Sequence, residues 1–107
     1  MTINRKLDNI ICSDKYEKEK LISLFSIHKD DSIFVLDAEN VIDNEIIVRL
    51  KDKSSHSITL KDKDNANSLF LLIKEIKSGK RRFVKVENLS SNENIIKIIT
   101  ERFYFKF

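Results

Sequence analysis

Between Lys74 and Lys85 the charged residues are Lys74, Lys77, Lys80, Arg81, Arg82 and Lys85, against one carboxylate, Glu75. Cations of this kind bind phosphate backbones, and aromatic rings nearby, such as Phe83 and Tyr104, can stack on bases. The same charges suit an acidic protein surface, or simply keep a helix end and an edge strand solvated and unaggregated. Leu71 and Phe83 are the apolar residues of this region that periodicity does not send inward. The expected binding set is therefore Lys74, Lys77, Lys80, Arg81, Arg82, Lys85, Leu71 and Phe83.

Other chemistry leaves less trace. His28 and His56 are the two histidines and Cys12 the single cysteine, and no two of these sit at metal-ligand spacing, so no metal is expected. His28 falls in the seam of an apolar helix face and His56 on the inner side of a hairpin; both read as packing residues. They would serve as a general base only if they met in space, and no nucleophile is placed near either. Cys12 precedes a helix start, where a dipole can lower a thiol pKa, but a small buried hydrophobe is the simpler reading. Asp30, Asp31, Asp37, Glu39, Asp43 and Glu45 form an acidic stretch without cations. It could face a basic partner or gather a divalent ion, yet it lacks the glycine and bidentate glutamate of a calcium loop and reads as solvated turns. Gly79 stands alone, which excludes a glycine-rich phosphate loop. No cofactor and no catalytic role are expected.

These groups must be positioned by local structure. Ile3, Leu7, Ile10 and Ile11 fit one face of a short first helix, with Ile10 to Cys12 equally readable as a strand stub. Asp14 and Glu17 have capping-box spacing before Leu21, Leu24, Phe25 and His28, which share a helical stripe. Ile33 to Leu36 reads as a strand, Asp37 to Asn40 and Asp43-Asn44 as turns around Val41-Ile42. From Glu45 the pattern alternates. Ile46, Val48 and Leu50 face one way; after a loop at 52–55, His56, Ile58 and Leu60 do the same. Asp64 or Asn65 can cap the next helix, in which Ala66, Leu69, Phe70, Leu72, Ile73 and Ile76 share an arc that excludes Leu71. Gly79 is placed to stop it, with Lys77 in the last turn. Arg82 to Val86 then reads as a strand with Val84 and Val86 on one face and Phe83 on the other. Ser90 and Glu93 predict a capped helix carrying Ile95, Ile96, Ile98 and Ile99, followed by alternating Phe103, Phe105 and Phe107 as a last strand or tail.

The order is α-β-β-β-α-β-α, with an optional final β. It predicts an α+β domain spanning 1–107: a small, mainly antiparallel sheet of three to five strands with helices on one face. The helix, three strands and helix between Asp14 and Ser78 follow an order that resembles double-stranded-RNA-binding domains. In that family the second helix opens with a lysine-rich motif that grips phosphates. Here the place reads Asp62-Lys63-Asp64-Asn65-Ala66-Asn67, where the charges alternate in sign. The order is also similar to that of some small phage proteins that inhibit CRISPR nucleases, by arrangement and without a shared motif. No residue carries over from either.

With 107 residues, 41% apolar and 35% charged, the chain can bury one modest core and is not of disordered composition. No apolar run is long enough to cross a bilayer and no signal sequence is apparent, so a cytoplasmic protein without membrane contact is expected. One cysteine suits a reducing compartment. Heavy use of Lys, Ile and Asn points to an AT-rich coding sequence, as in low-GC bacteria or phage. A mild net charge of +3 hides a basic and an acidic segment. Together these predict a non-catalytic protein that binds another protein, as an inhibitor such as an immunity protein, antitoxin or anti-defence protein. The alternative is nucleic-acid binding through the cationic cluster. A homodimer is a further possibility, through the hairpin edge or the aromatic tail.

Overall fold

The computed structural model describes residues 2–27, 35–50, 53–89 and 93–104. Its elements are β1 (Thr2–Ile11), α1 (Lys15–Ile27), β2 (Val35–Ile42), β3 (Glu45–Leu50), β4 (Ser55–Thr59), α2 (Lys63–Ser78), β5 (Arg81–Asn88) and β6 (Ile95–Tyr104). This is an α+β fold with every strand pairing antiparallel. The strands form two three-stranded sheets, β1-β6-β5 and β2-β3-β4. They meet where Cys12 bridges Leu60, and the Lys61 N–H donates to the Ile11 carbonyl at 2.9 Å.

The alternation over 45–60 sets the second sheet. Ile46 lies opposite Ile58 and Val48 opposite His56, and Ile46, Val48, Leu50, Ile58 and Leu60 are all buried. The α2 arc is equally as expected: Ala66, Leu69, Leu72 and Ile73 are buried, with Phe70 and Ile76 at the margin. The helix starts slightly earlier than its sequence suggests. Asp62 is the cap, its Oδ1 accepting the Asn65 N–H at 2.9 Å, while the Asn65 Oδ1 is engaged by the Ile11 N–H at 2.9 Å. Gly79 ends the helix at φ 84°, a conformation that costs glycine no Cβ clash. Its N–H donates to the Ile76 carbonyl and the Lys80 N–H to Glu75, the paired bonds of a Schellman stop.

In α1, the Asp14 Oδ1 accepts the Glu17 N–H at 2.8 Å, and Leu21, Leu24 and Phe25 are buried. The Glu17 carboxylate does not return to the cap. It accepts the Thr59 N–H and pairs with Lys20, tying α1 to the end of β4. Helix α2 lies mainly on β2 and reaches β1, β3 and β5; α1 lies against β5, β4 and β6. One hydrophobic cluster joins both helices and both sheets.

Three expected elements are different. Residues 2–11 form a strand, because β1 pairs with β6 along its whole length, from Thr2 opposite Tyr104 to Ile11 opposite Ile95. Residues 95–104 form that strand β6, not a third helix. Its β-branched run packs well on a pleated surface, and as the centre of its sheet it satisfies its backbone on both sides. Ile96, Ile98 and Thr100 line the core with no exposure. Residues 37–40, expected as a turn, lie within β2, which absorbs an extra residue at two register shifts and buries Ala38. His28, Asp30, Asp31, Ile33, Phe34, Asp52, Ser90, Phe105 and Phe107 lie outside the described residues. No helix among the described residues is long and apolar enough to cross a membrane.

Candidate binding surface

Strand β5 decides where the cationic cluster points. The ladder with β6 skips a residue between Phe83 and Lys85, so Val84 is the extra residue of a bulge. The bulge breaks simple alternation, and Phe83 and Val86 both pack against the core. Phe83 stacks on Phe25 of α1 with ring centroids 5.0 Å apart. It is therefore half-buried against the core and turned away from the outer face. Arg81 shares the inward parity: its side chain is 10% exposed, its Nη1 lies 2.8 Å from the Asp8 Oδ2, and its Nε meets the Glu75 carboxylate. It links the last turns of α2 to β5 and β1.

Arg82 and Lys85 point to the opposite, outer side of the sheet. Register adds residues from distant parts of the chain. Arg5, Glu101 and Arg82 fall in one row across β1, β6 and β5; Leu7, Ile99 and Lys85 in the next; Asn9, Lys97 and Glu87 in the third. Arg82 pairs with Glu101, which also lies 3.7 Å from Arg5. Lys85 sits 2.9 Å from Glu87, and this neighbour holds the Glu87 carboxyl below its ordinary pKa. Leu7, at the β1 end of the second row, is 59% exposed. The core cluster shared with α1 and α2 takes Ile10, Ile96, Ile98, Phe83 and Val86 from the other face of the sheet.

The remaining cations occupy the helical side. Leu71 is exposed on α2, the Lys74 Nζ lies 5.2 Å above the Phe70 ring, and Lys77 and Lys80 are exposed around the helix stop. A cluster contiguous in sequence is thus divided between two sides of the molecule, with Arg81 and Phe83 inside. Arg5, Leu7, Lys97 and Glu101 join the outer face only because both terminal segments are strands, and no local signal in the chain places them there.

The other candidate groups that are described have partners or burial of their own. Cys12 is buried, and its thiol is pushed up to about 12 chiefly by burial, with Glu17 and Asp14 adding to it. The helix dipole does not make it a nucleophile. His56 sits inside the hairpin opposite Val48, with its Nε2 3.0 Å from the Ser54 Oγ. In the acidic stretch Glu39 pairs with Arg49 at 3.0 Å, and no group of three or more metal-ligating side chains occurs among the described residues. Lys18, which sequence reasoning did not single out, is 1% exposed; its Nζ donates to the Glu93 carbonyl at 2.8 Å and to the Asn88 Oδ1 at 3.2 Å. Those bonds hold the two ends of the β5–β6 connection. Compared with known proteins, the chain matches no family model, no curated protein and no solved structure.

Proposed function

We propose that the protein works by binding another protein, without catalysis, and that the outer face of the β1-β6-β5 sheet makes the contact. What supports this reading is how the charges of that face are held. Arg82 and Arg5 share Glu101, Lys85 faces Glu87, and Leu7 is exposed on the β1 edge. A nucleic-acid backbone draws its affinity from cations that neutralise phosphates. Here each such contact would take a cation from a carboxylate that then repels the phosphate. A protein surface offers both signs and can complement this pattern without dismantling it. Leu7, exposed on the edge strand β1, adds apolar area beside these charges, and protein contacts combine apolar and polar groups in this way. Among binding roles we favour a dedicated inhibitor, such as an immunity protein, antitoxin or phage anti-defence protein, acting in the cytoplasm. Small size and the Lys-, Ile- and Asn-rich composition support that choice.

Arg81 is unsuited to a test, because removing it strips Asp8 and Glu75 of their partner. The pair Arg82→Glu/Lys85→Glu changes the outer face alone. Affinity purification at low salt, from cells that make the protein, should retain a specific protein with the wild type. The double variant should lose it while keeping the wild-type circular dichroism. Retention of DNA or RNA instead, abolished by the same variant, would overturn the reading in favour of nucleic-acid binding.

A further inference from the structure

The two ends of Ile11 reveal which way the β1 backbone points. Its N–H donates to the Asn65 Oδ1 and its carbonyl accepts from the Lys61 N–H, both away from β6. Strand β1 pairs with β6 from Thr2 to Ile11 without a bulge. Alternation therefore turns the N–H and C=O of Arg5, Leu7 and Asn9 toward the same free edge. No hydrogen bond among the described residues takes them up, and Asn4, Arg5, Lys6, Leu7 and Asn9 are all exposed.

The other edges are defended against pairing. Strand β5 carries the bulge at Val84, β2 carries two register shifts, and β4 is five residues long. Strand β1 is ten residues long and regular. We propose that this edge pairs with the same edge of a second copy of the chain, antiparallel and centred on Leu7.

Charge selects both the occupant and the register. Two-fold pairing centred on Arg5, Lys6 or Asp8 sets that residue against its own copy, a like-charge contact directly across the ladder. Centring on Leu7 sets Leu7 against Leu7 and Lys6 against Asp8 of the second copy, twice by symmetry. Arg5 then faces Asn9. Leu7 and both Arg5–Asn9 pairs occupy hydrogen-bonded positions, so each exchanges two backbone bonds. The ladder ends before Ile11, whose edge is already occupied by Lys61 and Asn65. The two sheets join into one six-stranded sheet across the two-fold.

Sedimentation equilibrium of the tag-free protein, from micromolar to millimolar concentration, tests this. The wild type should show a monomer–dimer equilibrium. Lys6→Asp and Leu7→Lys should each weaken it by about tenfold or more, since each puts like charges face to face. Asp8→Lys should do the same, and an equimolar mixture of Lys6→Asp with Asp8→Lys should dimerise again, because both cross-strand pairs regain opposite signs. Asp8 also holds Arg81; if Asp8→Lys fails to fold, the two variants at exposed positions decide. A wild type that stays monomeric at millimolar concentration, or a dimer indifferent to Lys6→Asp and Leu7→Lys, would overturn the proposal. Lys6 lies on the opposite face of β1 from Arg5 and Leu7, so its result does not depend on what the outer face binds.

Discussion

A thiol held at about 12 stays protonated at physiological pH, and Cys12 is 1% exposed beneath the junction of the two sheets. Its pKa is raised above the ordinary 9.0. The folded chain therefore keeps a proton that the unfolded chain releases. The associated stability is complete below the unfolded value and is lost as pH rises from about 9 toward 12. Urea unfolding of the wild type and of Cys12→Ala should show this as a stability difference that shifts against the wild type above pH 9. A thiol reagent should label the native protein far more slowly than the unfolded one. Rapid labelling of the native protein would mean that Cys12 is reachable, contrary to its burial. At this scale the helix face was the most legible part of the chain: the 100° wheel separates exposed Leu71 from buried Leu69, Leu72 and Ile73. Phe83 and Arg81 were not legible. A single bulge residue decides which way they point, and bulges have no residue signature in a stretch such as Arg81-Arg82-Phe83-Val84-Lys85.

Among the elements, one contact that is inconspicuous in the sequence ties α1 to the β5–β6 connection. Lys18 lies on α1 between wet neighbours Glu19 and Lys15, yet it is buried against the ends of β5 and β6, donating to Asn88 and Glu93. Lys18→Met keeps the length of the side chain and removes the donors. Losing the charge-assisted bonds of the Lys18 ammonium should cost about 1–3 kcal/mol, read as a lower urea midpoint with unchanged slope. An unchanged midpoint would show that packing of the stem and not the ammonium bonds does the holding. The β3–β4 hairpin and α2 were readable because pattern, cap and stop agree within a few residues. Strands β1 and β6 were not, since Ile3-Leu7-Ile10-Ile11 and Ile95-Ile96-Ile98-Ile99 satisfy a helical period as well. What decides between the periods is the pairing of these two segments with each other, from opposite ends of the chain.

For the whole molecule, that same pairing reorganises the charge. Six cations that run together from Lys74 to Lys85 are dispersed to the helical side, the interior and the outer sheet face. Arg5, Lys97, Glu87 and Glu101 enter the outer face from elsewhere and turn a basic run into a mixed one. Total charge and local clusters are visible in a sequence; the neighbours that neutralise them are a property of the register. The most direct measurement is a titration of the co-purifying protein against three forms of this one: wild type, Arg82→Glu/Lys85→Glu on the sheet face, and Lys74→Glu/Lys77→Glu on the helical side. If the outer sheet face is the contact, the first pair weakens binding by about tenfold or more and the second leaves it within about twofold. Loss of binding with the helical pair, and none with the sheet pair, would contradict it.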